Sequence, residues 1–173
     1  MTRRVRMLAI VAALLVFGGI GGCTGEDAQM SDGSSLTEAQ ATARVEELVR
    51  QVVAGITPEP RLDLLPTSLA EHPCIPNEGS APTGKIYVVR SYYLKGLPKD
   101  RLSEAGQKIR DNWERAGHKI TMTHMFESGQ PQLSGETSDG FGLSLDTATT
   151  MELLLSVVSP CMRPTTPSPS AAP

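Results

Sequence analysis

The sequence predicts a single α+β domain, in which two helices pack on one face of an antiparallel sheet of about four to five strands. Two stretches, 36–54 and 98–116, carry apolar residues at the spacing of a helix. Residues 85–94 and 120–145 carry apolar residues at every second position, which is the spacing of strands. Since the elements follow in the order α, β, α, β, β, β, we expect a two-layer sandwich over residues 35–162.

The first predicted helix covers residues 36–54. Ser35 and Glu38 have the spacing of a capping box, and Gly55 supplies a C-terminal stop. The apolar face consists of Ala41, Val45, Leu48 and Val52. The stretch 57–73 that follows is interrupted by prolines, so we expect it to form loop with short turns.

The strand predicted over residues 85–94 is apolar on both faces. One face carries Ile86, Val88, Tyr92 and Leu94, and the other carries Tyr87, Val89, Ser91 and Tyr93. A strand with this composition is expected in the interior of a sheet, with a neighbour on each side.

The second predicted helix begins at Pro98, a residue favoured in the first turn, and ends before Gly117. Its apolar stripe consists of Leu102, Ala105, Ile109, Trp113 and Ala116. We expect Trp113 to pack on the sheet rather than to contact a ligand.

The remaining pattern predicts further strands. Four alternating residues share a face that we expect to point into the core: Ile120, Met122, His124 and Phe126. A strand over 132–137 and the turn signal Asp139-Gly140 lead into a strand whose apolar face is Phe141, Leu143 and Leu145. The last element, 151–159, fits a helix by its leucines and a strand by its length and valines. We favour the strand.

The first 22 residues have the layout of an export signal. Arg3, Arg4 and Arg6 form a basic start, and the apolar run from Met7 to Phe17 is shorter than the roughly 20 residues of a spanning helix. Export by the twin-arginine route remains open, although Arg6 stands where such signals usually carry an apolar residue.

The segment Ile20-Gly21-Gly22-Cys23, at the end of this signal, resembles the lipobox of bacterial lipoproteins. The resemblance implies that Cys23 is linked to diacylglycerol, becomes the mature N-terminus, and joins the protein to the extracytoplasmic face of the cell membrane. Two alternatives are an ordinary secretory signal with an incidental Cys23, and an uncleaved anchor helix.

Three further pieces, "NWERAG" at 112–117, "DGFGLSL" at 139–145 and "SPC" at 159–161, are similar to parts of small uncharacterised lipoproteins of actinomycetes. This similarity implies an envelope location and a disulfide-closed domain, and it implies no activity.

Charge and cysteine content fit an exported protein. Since the three signal arginines precede Cys23, residues 23–173 keep 13 of the 16 Lys and Arg against 19 Asp and Glu, a net charge near −6. Such an acidic domain is a poor match for nucleic acid or for an anionic lipid surface. Cys74 and Cys161 remain as a pair that we expect to form a disulfide, and the alternatives are two free thiols or half of a metal site.

The predicted domain lies between two polar segments. Residues 23–34 are small, polar and acidic, so we expect a flexible tether that spans on the order of 20 Å. Residues 163–173 alternate proline with small hydroxyl residues, so we expect a disordered tail.

Motifs of enzymes, metals and cofactors are absent: the chain has no GxSxG, SxxK, HExxH, P-loop or GxGxxG sequence. The histidines are dispersed along the chain, with His72 in a loop, His118 as a cationic cap after the second helix, and His124 in the core row. We therefore predict no catalytic residue, metal or cofactor.

The predicted function is a lipid-anchored binding or interaction module of the cell envelope, without catalytic activity. Tyr93 is the candidate ligand contact, because tyrosines often line grooves and interfaces. An envelope protein or the cell wall is the candidate partner. The alternatives are an envelope hydrolase with a non-standard site and a structural envelope protein.

Overall fold

The computed structural model describes residues 35–77, 79–125 and 129–165. The signal segment, Cys23, the tether, Phe126 and most of the tail therefore lie outside the described residues.

The described chain forms two α-helices and eight strands. The helices are α1 (Glu38–Val53) and α2 (Leu102–Arg115). The strands are β1 (Arg61–Leu64), β2 (His72–Pro73), β3 (Ile86–Tyr87), β4 (Val89–Lys95), β5 (Lys119–Met125), β6 (Pro131–Glu136), β7 (Gly142–Thr147) and β8 (Leu153–Val158). Short 3₁₀ turns occupy Pro66–Leu69 and Lys99–Arg101.

The main sheet has six antiparallel strands in the order β1-β4-β8-β7-β6-β5, and β2 and β3 form a separate small sheet. Both helices pack on one face of the main sheet, α1 on β4 and β8 and α2 on β5 and β6. The predicted two-layer α+β sandwich is confirmed, with six strands instead of four to five. Among the described residues, neither helix is long and apolar enough to cross a membrane.

The extra strand is β1, which lies within the proline-rich stretch that we expected to be loop. Arg61–Leu64 pairs with β4 at the edge of the sheet, with Leu62 opposite Leu94. Prolines flank β1 on both sides. An edge strand tolerates them because only one of its two edges is hydrogen-bonded to a neighbouring strand. Its four residues are too few for an alternating pattern to be distinguished from loop.

Helix α1 begins two residues later than predicted, at a second capping box. The Thr37 hydroxyl accepts from the Gln40 N–H at 3.3 Å, and Gln40 Oε1 accepts from the Thr37 N–H at 3.0 Å. Leu36 packs against the core directly before this cap. The predicted Ser35 and Glu38 box is therefore wrong, because the contact of Leu36 with the core favours a cap at the next residue.

Helix α2 packs through its predicted stripe, except that Ala116 is exposed at the C-cap. Trp113 is fully buried and lies against Gly135 of β6, as predicted for a core tryptophan. A Cβ at Gly135 would lie 2.9 Å from the Lys119 carbonyl oxygen and 3.1 Å from Trp113 Cε3. The indole therefore occupies the space that a side chain on β6 would need.

The strand predicted over 85–94 is divided into β3 and β4, although its two faces are as predicted. Val88, Tyr92 and Leu94 are buried on the helix side. Strand β4 lies between β1 and β8, in the predicted interior position. The last element, β8, is a strand in the middle of the sheet, and Phe141, Leu143 and Leu145 beside it are buried as predicted.

Strand β5 differs from prediction because it is an edge strand with a β-bulge between Ile120 and Met122. Met122 is 39% exposed, and His124 is exposed as well. The prediction that these residues share a core-facing row with Ile120 is therefore wrong. An extra residue in a bulge reverses the faces of all the residues that follow it.

A polar cluster joins α1 to the sheet. The Tyr92 hydroxyl lies 2.8 Å from both carboxylate oxygens of Glu46, and Arg90 Nε lies 3.7 Å from the same carboxylate. Burial and the bond to Glu46 raise the pKa of Tyr92 to about 12, which keeps its hydroxyl a hydrogen-bond donor.

This cluster predicts a loss of stability at alkaline pH. Because the pKa of Tyr92 is above its ordinary value of 10.0, its stabilising contribution is complete below pH 10 and is lost as the pH rises through about 12. The free energy of unfolding measured with urea should therefore fall between pH 10 and 12. The Tyr92→Phe variant should lack this part of the loss and be about 1 kcal/mol less stable at pH 7. The control Tyr93→Phe should retain it, and an equal alkaline loss in Tyr92→Phe would contradict the assignment.

Candidate functional site

The predicted disulfide is present between Cys74 and Cys161, whose Cα atoms are 6.2 Å apart. It joins the segment before β3 to the segment after β8. Backbone hydrogen bonds hold the Cys74 side in place: the Cys74 N–H donates to the Lys85 carbonyl at 2.9 Å, and the Thr83 N–H donates to the Cys74 carbonyl at 3.0 Å. The two ends of the loop 74–85 are therefore fixed.

The disulfide lies beyond one end of the main sheet. The last cross-strand row at that end consists of Val89, Val158, Gly142, Glu136 and Lys119, on five adjacent strands. We call this the disulfide end of the domain. The Asp139-Gly140 turn, which connects β6 and β7 as predicted, lies at the same end.

A cavity of about 480 Å³ opens at the disulfide end. Its apolar lining comes from chain segments far apart in sequence, together with the disulfide itself: Ile75, Pro76, Tyr87, Val158 and Pro160. Polar residues in the lining are Thr83, Lys85, Glu136 and Ser159. Ile75 is 52% exposed. A mostly apolar cavity with a few polar groups is the usual form of a ligand site.

Tyr87 is held in the cavity wall by stacking. Its ring lies 5.1 Å from the His72 ring, with 19° between the two planes. The two residues are opposite each other in the β2 and β3 pair. The small sheet therefore positions an aromatic surface beside the disulfide.

The serine and threonine hydroxyls of the cavity are hydrogen-bonded to the backbone. Ser159 Oγ accepts from the Val88 N–H and donates to the Pro160 carbonyl, both at 3.0 Å. Thr83 Oγ1 donates to the Cys74 carbonyl at 3.2 Å and accepts from the Lys85 N–H at 3.3 Å. Both hydroxyls therefore have structural roles.

The three histidines lie in separate places, and none belongs to the cavity lining. His72 stacks on Tyr87, His118 follows α2, and His124 is on the edge strand β5. Burial lowers the pKa of His118, and the nearby Arg44 lowers it further. Desolvation disfavours the protonated ring that a cationic cap would need, so the cap at His118 stays a prediction.

Tyr93, the predicted ligand contact, lies on the sheet face opposite the helices. Lys95 Nζ is 4.9 Å from the centroid of its ring and is also bonded to the Glu152 carboxylate at 2.8 Å. Tyr93 is not part of the cavity lining, so a ligand contact there stays a prediction. In the described part of the chain, no three His, Cys, Asp or Glu side chains come together in a way that could hold a metal ion.

Sequence reasoning did not find the cavity. Its one relevant signal was the Cys74 and Cys161 pair, which brings distant segments together. Ile75, Tyr87 and Pro160 have no shared pattern in sequence, because their proximity depends on how β3 and β8 are placed.

No protein-family model matches the chain, and no curated protein sequence matches it. One similar solved structure is the crystal structure of LppA from Mycobacterium tuberculosis, described as a candidate lipoprotein. It is 12% identical, with a TM-score of 0.48, and the match covers 78% of this chain and 83% of that chain. A likeness at this level supports no conclusion about the present chain.

Proposed function

We propose that this protein is a lipid-anchored extracytoplasmic lipoprotein that acts as a non-catalytic binding or interaction module of the cell envelope. The observation that carries the proposal is the segment Ile20-Gly21-Gly22-Cys23 at the end of a basic and apolar leader. The Cys74 and Cys161 disulfide supports an oxidising, extracytoplasmic compartment.

A lipid on Cys23 would hold the domain at the membrane. Each buried CH₂ group contributes about 0.8 kcal/mol, so a single acyl chain binds marginally while two chains give stable anchoring. The membrane is therefore the first partner that we propose, and an envelope protein or cell-wall component within reach of the tether is the second.

The binding role is supported by the cavity at the disulfide end. Its lining is mostly apolar, and the hydroxyls of Ser159 and Thr83 are engaged by the backbone. These features suit reversible contact with an apolar group.

The Cys23→Ala variant tests the anchor. In cells supplied with a labelled fatty acid, the native protein should carry the label and sediment with membranes, whereas Cys23→Ala should lose the label completely. The neighbouring substitution Thr24→Ala is the control and should keep the label. Fatty acid retained on Cys23→Ala would show that the attachment site is elsewhere and would remove the basis for the proposal.

A further inference from the structure

A complete Schellman motif ends helix α2 and fixes the position of His118. Gly117 has a φ of 77°, the left-handed conformation that this motif requires. The Gly117 N–H donates to the Glu114 carbonyl at 3.0 Å. The His118 N–H donates to the Trp113 carbonyl at 2.9 Å. His118 therefore follows the glycine of the motif, at a position where an apolar side chain often packs back against the helix.

The imidazole of His118 lies in a site that suits a neutral ring. Its Nε2 atom is buried and has no hydrogen-bond partner within the described residues. Burial, together with the positive charge of Arg44, lowers the pKa of His118, although the carboxylate of Asp139 acts in the opposite direction. Two of the helix carbonyls that a cationic ring could serve are already bonded to backbone N–H groups of the motif.

Neighbouring elements bring charged groups to the surroundings of His118. Arg44 of α1 donates from Nε to the Asp139 carboxylate at 3.0 Å and from Nη1 to the Glu47 carboxylate at 2.9 Å. The bond to Asp139 joins α1 to the turn between β6 and β7. Further charged groups on these elements are Glu114 and Arg115 at the end of α2, Lys119 at the start of β5, and Glu136 opposite Lys119 on β6.

A proton on His118 places a second positive charge near Arg44. Although burial opposes it, hydrogen bonds from Thr137 and Arg44 lower the pKa of Asp139, so this carboxylate stays ionised in mildly acidic solution. Asp139 therefore keeps its bond to Arg44 when the ring is protonated. A protonated ring in this site is a partly buried cation whose Nε2–H has no acceptor, which favours any rearrangement that exposes the ring to water.

We propose that His118 is a pH switch whose protonation releases the end of α2 from α1 and from the Asp139-Gly140 turn. Gly140 lines the cavity at the disulfide end, so this release loosens one wall of the cavity. The switch does not depend on the proposed anchor at Cys23. Its consequence for ligand contact rests on the proposed binding role of the cavity.

The pH dependence of stability tests the switch. Because the pKa of His118 is below its ordinary value of 6.5 in the folded protein, the unfolded chain binds more protons as the pH falls below 6.5. The urea concentration at which half of the full chain is unfolded should therefore be lower at pH 5 than at pH 7. The His118→Leu variant should lose less, since leucine suits this position and cannot be protonated. His124→Gln on the edge strand β5 is the matched control and should keep the native loss.

Amide hydrogen exchange tests whether the release is local. The N–H groups of His118 and Gly140 donate to the Trp113 and Thr137 carbonyls, and they should exchange faster than those of the central strand β8. After correction for the intrinsic rate at each pH, their protection should fall severalfold from pH 7 to pH 5. Protection at the same two positions should stay nearly constant in His118→Leu.

Three results would overturn the switch. One is unchanged protection at His118 and Gly140 in the native protein, a measurement that needs no variant. Another is an acid loss in His118→Leu equal to the native loss. The third is a smaller acid loss in the native protein than in His118→Leu, which would make His118 a cationic cap instead. The fatty-acid label on Cys23 is measured separately, so failure of the switch leaves the anchor standing.

Discussion

Replacing Gly135 by Ala should destabilise the domain by about 3 kcal/mol or more, because the new methyl group would overlap both backbone and indole atoms. The added Cβ would lie 2.9 Å from the Lys119 carbonyl oxygen and 3.1 Å from Trp113 Cε3. Trp113 is fully buried, so a shift of its ring would disturb the packing of the core around it. Urea unfolding monitored by Trp113 fluorescence measures the loss.

The matched control is Gly142→Ala on the neighbouring strand. There an added Cβ would meet only Val158 Cβ, at 3.9 Å, which is an ordinary van der Waals contact. This variant should be as stable as the native protein or slightly more stable, since alanine restricts the unfolded chain. If Gly135→Ala matched Gly142→Ala in stability, the packing of Trp113 against β6 would be wrong.

Removing the disulfide should have the second large effect. The double variant Cys74→Ala with Cys161→Ala removes a crosslink between two residues that are 87 positions apart in sequence. The chain-entropy estimate for a loop of this length is about 4.6 kcal/mol of stability at 25 °C. Unfolding by urea, without reductant, should therefore begin at a much lower concentration in the double variant.

Two comparisons make the disulfide experiment specific. A reducing agent should lower the urea concentration at which half of the native protein is unfolded, toward the value of the double variant. It should leave the value of the double variant unchanged. The Cys23→Ala variant should keep the native urea midpoint, because Cys23 takes no part in the disulfide between Cys74 and Cys161. An unchanged midpoint in the double variant would show that the crosslink contributes nothing to stability.

Local patterns in the sequence predicted most of the fold. The apolar stripes of α1 and α2, the two faces of the strand at 85–94 and the Asp139-Gly140 turn are all present. These features depend on residues a few positions apart, whose spacing and backbone preferences are determined by the helix or strand that they form. The disulfide could also be predicted, since Cys74 and Cys161 were the two cysteines left after Cys23.

Tertiary structure decided the features that depend on neighbours. Arg61–Leu64 becomes a strand because β4 offers a free edge, and a bulge in β5 turns Met122 and His124 outward. The choice of Thr37 over Ser35 as the cap depends on the contact of Leu36 with the core. No local spacing encodes such effects, since their free energies arise from contacts with other elements.

The features of the candidate site also include some that the sequence predicts and others that depend on tertiary structure. The sequence by itself predicts the export signal and the lipid attachment at Cys23, both of which stay predictions, and it predicted the pairing of Cys74 with Cys161, which is present. Each of these is a short motif or a count of residues. Only the tertiary structure placed Ile75, Tyr87 and Pro160 around one cavity at the disulfide end of the domain. The physical reason is that a cavity consists of surfaces contributed by distant segments, and their proximity exists only after the sheet has assembled.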